Sequence, residues 1–85
     1  MRLRWRREAR SDLRELAQRA PVQAAAVYRT AHWLAEQKFS RLGHPVAGTE
    51  ERYWPVPPQG IFYRVGKGEL VITRVLDTRR RRELW

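Results

Sequence analysis

Residues 60–76 read GIFYRVGKGELVITRVL. On either side of Gly66-Lys67-Gly68 the side chains follow a period of two, the spacing of a β-strand. The glycines of the connection tolerate positive φ, so the two runs, 60–65 and 69–76, are expected to close as a tight hairpin. In the second run Leu70, Ile72 and Leu76 fall on one face with Arg74, and Val71, Thr73 and Val75 on the other. In the first, Ile61, Tyr63 and Val65 oppose Phe62 and Arg64. Both faces of the hairpin are therefore substantially apolar.

Upstream, residues 50–56 form a third strand candidate, separated from the hairpin by VPPQG. Residues 40–49, SRLGHPVAGT, are a connection rich in turn formers. The first residues, RLRWRR at 2–7, alternate Leu3 and Trp5 with Arg2, Arg4 and Arg6, again a half-buried strand. The period then changes. Ala9, Leu13, Leu16, Ala17 and Ala20 fall on one helical face over 8–19, with Glu8 and Asp12 near the start and Arg19 at the end, as the helix dipole favours. Pro21 suits the first turn of a second helix running to about Phe39. The expected architecture is α+β in one domain over 1–85: a strand at 1–7, an antiparallel helical hairpin at 8–39, a three-stranded antiparallel meander at 50–76 and a basic tail at 77–85. One hairpin of helices covers one sheet face. The other needs a cover: the tail, a second copy or a partner chain.

The second helix has apolar surface to spare. One stripe holds Ala24, Val27, Tyr28, Ala31, Leu34 and Ala35; a second holds Val22, Ala26 and Trp33. The larger expectation is that one stripe meets the sheet and the other the first helix. The functional alternative leaves Trp33 partly exposed for a partner protein.

Eighty-five residues provide one core, and a 42% apolar share is enough to fill it. There is no cysteine, which removes disulfides and thiolate metal sites and fits a reducing cytoplasm. No run of about 18 apolar residues predicts a membrane span. The net charge is +9, and 16 of the 18 basic residues are arginine. Arginine forks match phosphates and carboxylates, so the excess points to an anionic partner. A GC-rich genome raises arginine use in the same way, and composition does not separate the two. Position is more informative: seven arginines lie within residues 1–19 and four at 79–82. His32 and His44 stand in no metal-ligand spacing, and no metal or cofactor is expected.

The stretch GHPVAGTEERYWPVPPQGIFYRVGKGELVITRVLDTRR, residues 43–80, resembles the C-terminal half of the ParE/RelE superfamily of bacterial toxins. The resemblance rests on Gly48-Thr49-Glu50-Glu51, on Ile61-Phe62-Tyr63-Arg64-Val65, and on Val71 to Leu76 followed by Arg79-Arg80. It implies the toxin of a type II toxin–antitoxin (plasmid stabilisation) pair, neutralised in a hetero-oligomer by a cognate antitoxin. Val22, Ala26 and Trp33 of the helix, with Phe62, Val71 and Val75 of the second sheet face, are the candidate antitoxin contacts. Within the superfamily, ParE-like members poison DNA gyrase and arrest growth without needing a catalytic constellation. Arg64, Arg74, Arg79, Arg80, Arg81 and Arg82 would then bind the target. RelE-like members instead cleave mRNA at the ribosome, and for that alternative the candidates are Arg64, Arg74, Arg81 and Trp85.

Two departures weigh against the nuclease. Trp85 stands where a tyrosine is expected, and Gly60 falls near a position where RelE-like enzymes often carry arginine. Arginine stabilises a developing phosphate charge but stays protonated, so it leaves no neutral base to take the proton of a ribose hydroxyl. Gyrase inhibition is the preferred expectation.

Overall fold

A computed structural model describes residues 1–37 and 42–79. The end expected for the second helix near Phe39, and the tail residues Arg80, Arg81, Arg82 and Trp85, lie outside the described residues. The element order is β1 (Arg2–Trp5), α1 (Arg7–Arg19), α2 (Pro21–Glu36), β2 (His44–Pro45), β3 (Arg52–Val56), β4 (Gln59–Gly66) and β5 (Glu69–Asp77). The expected α+β order is present, with one short strand added inside the 40–49 connection.

The helices meet with almost no loop because one residue serves both. Ala20 ends α1 by donating its N–H to the Leu16 carbonyl at 2.7 Å, and it opens α2 by accepting the Ala24 N–H at 2.9 Å. Pro21, which has no N–H to leave unpaired, follows at the first turn. At the far side Gln23 Nε2 donates to the Val56 and Pro57 carbonyls at 2.6 and 3.1 Å, tying α2 to the turn between β3 and β4. That turn is only Pro57 and Pro58, joined by a cis peptide bond, and Val56 pairs with Gln59 across it. VPPQG is thus mostly strand. The β4–β5 turn is Lys67-Gly68, both at positive φ (50° and 76°), as a two-residue hairpin requires.

The sheet order is β1-β5-β4-β3-β2, and every neighbouring pair is antiparallel except β1 with β5. The helical hairpin carries the chain from β1 to β2 at the opposite edge, and β5 returns to lie parallel to β1, Leu3 against Leu70 and Trp5 against Ile72. Core side chains from α1 (Ala9, Leu16) and α2 (Ala24, Val27, Ala31, Leu34, Ala35) pack on Ile61, Tyr63, Leu70, Ile72 and Val75.

Val75 corrects the expected face assignment. Strict alternation would bury Arg74 and Leu76 beside Ile72, but the β4–β5 register shifts between Phe62 and Tyr63. Phe62 pairs with Arg74 and Tyr63 with Ile72, leaving Thr73 as the extra residue of a β-bulge. Beyond the bulge the phase inverts. Val75 turns into the core opposite Ile61, and a guanidinium is kept out of it.

On the core face, the Tyr63 hydroxyl donates to the Leu42 carbonyl, which also accepts from Arg52 Nε at 2.9 Å. Burial pushes the Tyr63 phenol up from its usual value, and the nearby Arg52 guanidinium pulls the other way. Neutral Tyr63 thus contributes stability present in full below pH 10.0 and lost as pH rises through the raised folded value. Alkaline unfolding of the parent and of Tyr63→Phe should therefore diverge. The variant starts about 1 kcal/mol less stable, and the gap should narrow above pH 10.0. Parallel curves would contradict the assignment.

Candidate functional site

The residues expected to meet a target or partner fall into separate regions. The first is the border between α1 and β5. Pairing of β1 stops at Ile72, so the rest of β5 presents an open backbone edge on that side. Asp12 of α1 reaches it. Its Oδ2 accepts the Val75 N–H at 2.9 Å and Arg74 Nε at 2.7 Å, and Oδ1 accepts the second guanidinium nitrogen at 3.0 Å. The hydrogen bonds to Asp12 hold the Arg74 guanidinium above its ordinary pKa, and the Glu8 and Glu15 carboxylates add to this. Glu8, Asp12 and Glu15 are one helical turn apart, so the acidic side of α1 is turned toward Arg74. One edge of the Arg74 guanidinium, Nε and a terminal nitrogen, is therefore occupied from within the chain.

The second region is the sheet face away from the helices. His44, Tyr53 and Phe62 form a row with ring centroids 5.0 and 5.8 Å apart. Phe62 is buried, and Val71 is half-buried on the same face. Thr73 Oγ1 donates to Glu51 Oε1 at 2.6 Å and lies 3.1 Å from the Phe62 carbonyl. The other Glu51 oxygen is 3.8 Å from the Arg64 guanidinium. Glu51 is presented by a turn in which Thr49 Oγ1 accepts the Glu51 N–H at 3.0 Å. Gly60 belongs to this face, and an added side chain there would press on Thr78. A Cβ there would sit 2.9 Å from Thr78 Cγ2 and in contact with the Phe62 and Tyr53 rings.

Beyond β5, Arg79 grips Asp77 with its Nε at 3.1 Å and a terminal nitrogen at 2.9 Å. The same contacts raise the pKa of this exposed guanidinium. Arg64 pairs with Val71 in the sheet, whereas Asp77 pairs with Gln59, so Arg64 and Arg79 stand near opposite ends of the β4–β5 ladder. At about 3.3 Å per residue the separation is roughly 20 Å. Arg64, Arg74 and Arg79 do not converge on one point, and each faces a carboxylate.

The third region is the outer side of α2. Val22 is 83% exposed and Trp33 43%, with Ala26 half-buried between them. Trp33 leans on Trp54 of β3 with centroids 5.3 Å apart. Its stripe is thus anchored at one end and open at the other, rather than covered by α1. Of the candidate contacts, Val75 lies in the core beneath the helices, and Phe62 is equally buried on the opposite sheet face.

Both histidines are exposed, His32 against Tyr28 and His44 against Tyr53. Among the described residues no group of three His, Cys, Asp or Glu is placed to hold a metal ion, and no helix is long and apolar enough to cross a membrane. Asp12 was not among the sequence candidates. Its nearest signal was only the acidic spacing at 8, 12 and 15.

A family model described as "ParE toxin of type II toxin-antitoxin system, parDE" matches residues 3–85. No curated protein matches the chain. Among solved structures, the chain is similar to the toxin–antitoxin complex RelBE2 from Mycobacterium tuberculosis, with 25% identity, a TM-score of 0.76, and coverage of 89% of this chain and 88% of that one. It is also similar in fold to a chain of the chromosomal ParDE system from P. aeruginosa, with 22% identity, a TM-score of 0.69, and coverage of 88% and 92%.

Proposed function

The chain belongs to the ParE toxin family of type II toxin–antitoxin systems, and on that premise we propose that it arrests growth by binding DNA gyrase, restrained by a cognate antitoxin. The observation that carries the gyrase reading over mRNA cleavage is Gly60. The position near which RelE-like enzymes often carry arginine is glycine here and offers no cation, and an added Cβ would press on Thr78 Cγ2 at 2.9 Å. The commitment of Arg74 to Asp12 supports the same reading. A binding surface tolerates paired arginines spread along a sheet. A phosphate-stabilising centre needs them aimed at one point.

Cleavage of mRNA at the ribosome is the second reading, kept by the likeness to RelBE2. Antitoxin binding is supported by both structural neighbours being toxin–antitoxin complexes. It is also supported by the open Val22–Trp33 stripe and the half-buried Val71.

The test is induction of the chain in cells, alone and with its antitoxin, following growth, plasmid supercoiling and transcript integrity together. Arrest with altered supercoiling and intact transcripts is expected, reversed by the antitoxin. Single alanine substitutions at Arg64, Arg79, Arg80, Arg81 and Arg82 should each weaken arrest by a modest increment that added salt mimics in vitro. One substitution that abolishes arrest in a folded protein, with transcripts cut in the parent, would replace gyrase by mRNA as the target. A single transition-state contact is worth about 3–4 kcal/mol, or two to three orders of magnitude in rate.

A further inference from the structure

Strand pairing sorts the side chains of the sheet face away from the helices into rows. Leu3 and Trp5 of β1 pack against the core, so Arg2 and Arg4 point to the opposite face. Arg4 pairs with Val71 of β5, and Val71 pairs with Arg64 of β4. Arg4 and Arg64 therefore flank Val71 in one row across three strands, about 10 Å apart at the usual strand spacing. Arg2 stands one step along β1, opposite Glu69. The neighbouring row is aromatic. His44, Tyr53 and Phe62 cross β2, β3 and β4 in register, and Phe62 is two residues, roughly 7 Å, from Arg64. At the outer end of that row His44 is exposed and Tyr53 half-buried.

The charges of the basic row are loosely held. Glu69 lies 3.4 Å from Arg4 and Glu51 3.8 Å from Arg64, and the two arginine side chains are 58% and 48% exposed. Exposed pairs of this kind contribute little and exchange readily for another anion. Arg2 is exposed and carries no ion pair among the described residues. Cations in one row and rings in the next match a ligand with anions along one side and flat rings along the other, which is a single nucleic-acid strand. An acidic peptide would meet the guanidinium groups but bring no flat partner to the rings of His44 and Tyr53. We infer that this face binds single-stranded DNA, with phosphates on Arg2, Arg4 and Arg64 and an unpaired base against His44 and Tyr53. The inference rests on the gyrase reading and adds to it a direct contact with the DNA that gyrase has cut. A strand break frees base faces that an intact duplex hides. Glu51 is then the counter-ion that Arg64 exchanges for phosphate.

The experiment titrates labelled single-stranded DNA, the duplex of the same sequence and the equivalent RNA with the full chain, and runs the gyrase cleavage assay alongside. The variants are Arg4→Gln/Arg64→Gln, His44→Ala/Tyr53→Leu, and Glu51→Gln, which keeps an acceptor for the Thr73 hydroxyl. Unfolding midpoints check each fold, and His44→Ala alone replaces the aromatic pair if that one is not folded. The parent should bind the single DNA strand more tightly than the duplex. The arginine variant should bind about tenfold more weakly, with a slope of log affinity against log salt shallower by about 1.4, the value for two phosphate contacts on a single strand. The aromatic variant should also bind about tenfold more weakly, but with the slope unchanged. Glu51→Gln should bind more tightly than the parent. Unchanged affinity in all folded variants, or no strand binding by a parent that still traps cleaved DNA, would overturn the inference and leave the gyrase reading standing. A parent that prefers RNA by more than about tenfold would assign the face to a message and overturn the inference. If that parent also leaves gyrase cycling normally, the gyrase reading falls with it.

Discussion

Gly43→Ala should destabilise the protein by about 3–5 kcal/mol, more than an ordinary loop substitution. Gly43 sits at φ +82°, which an L side chain adopts only under strain. A Cβ there would come 2.6 Å from the Tyr53 carbonyl oxygen and would also collide with the Tyr63 hydroxyl. The backbone cannot back away freely. The carbonyls of Leu42 and Gly43 are held by Arg52 at 2.9 and 3.0 Å, and Leu42 also takes the Tyr63 hydroxyl. Gly48 is the internal control: its φ is +77°, but nothing lies within 4 Å of an added Cβ. Gly48→Ala should cost only the conformational strain, about 1–2 kcal/mol. Urea unfolding of both variants separates the two contributions, and equal losses would refute the close approach at Gly43.

Asp12→Ala should cost about 2–3 kcal/mol. The Asp12 carboxylate is 13% exposed and serves three donors, one of them the backbone N–H of Val75 at the open edge of β5. Arg74 is 43% exposed and can turn to water, so its share of the loss is small and the orphaned Val75 N–H carries more. Arg74→Ala should accordingly cost less than Asp12→Ala. The double variant should fall short of the sum of the singles, by roughly 0.5–1.5 kcal/mol of coupling. Strict additivity would mean that the pair does not hold the edge.

The strands and helices were legible because their periods are clean. Ile61, Tyr63 and Val65 against Phe62 and Arg64 fix β4, and Pro21 marks where one helix ends and the next begins. The phase of the C-terminal half of β5 was not legible. A bulge at Thr73 adds one residue without leaving a signature in composition, and it alone decides whether Arg74 or Val75 enters the core. The parallel partner of β1 was equally hidden, since alternation in RLRW says that a strand forms and not where it lies. Trp33 was expected mainly as core. It is half-exposed because α2 is covered by the sheet on one side only, and its indole leans on Trp54, 21 residues away in the chain. The contact between Asp12 and Arg74 spans 62 residues and depends on the bulge, so no local pattern could reveal it.

The measurement that tests the account most directly is DNA cleavage by purified gyrase in the presence of the purified chain. The account predicts that enzyme-linked, double-strand-broken DNA accumulates with increasing chain, and that the cognate antitoxin reverses this at stoichiometric concentration. It also predicts that messenger RNA on translating ribosomes stays intact at the same dose. Gyrase cycling normally while ribosome-bound message is cut would contradict it.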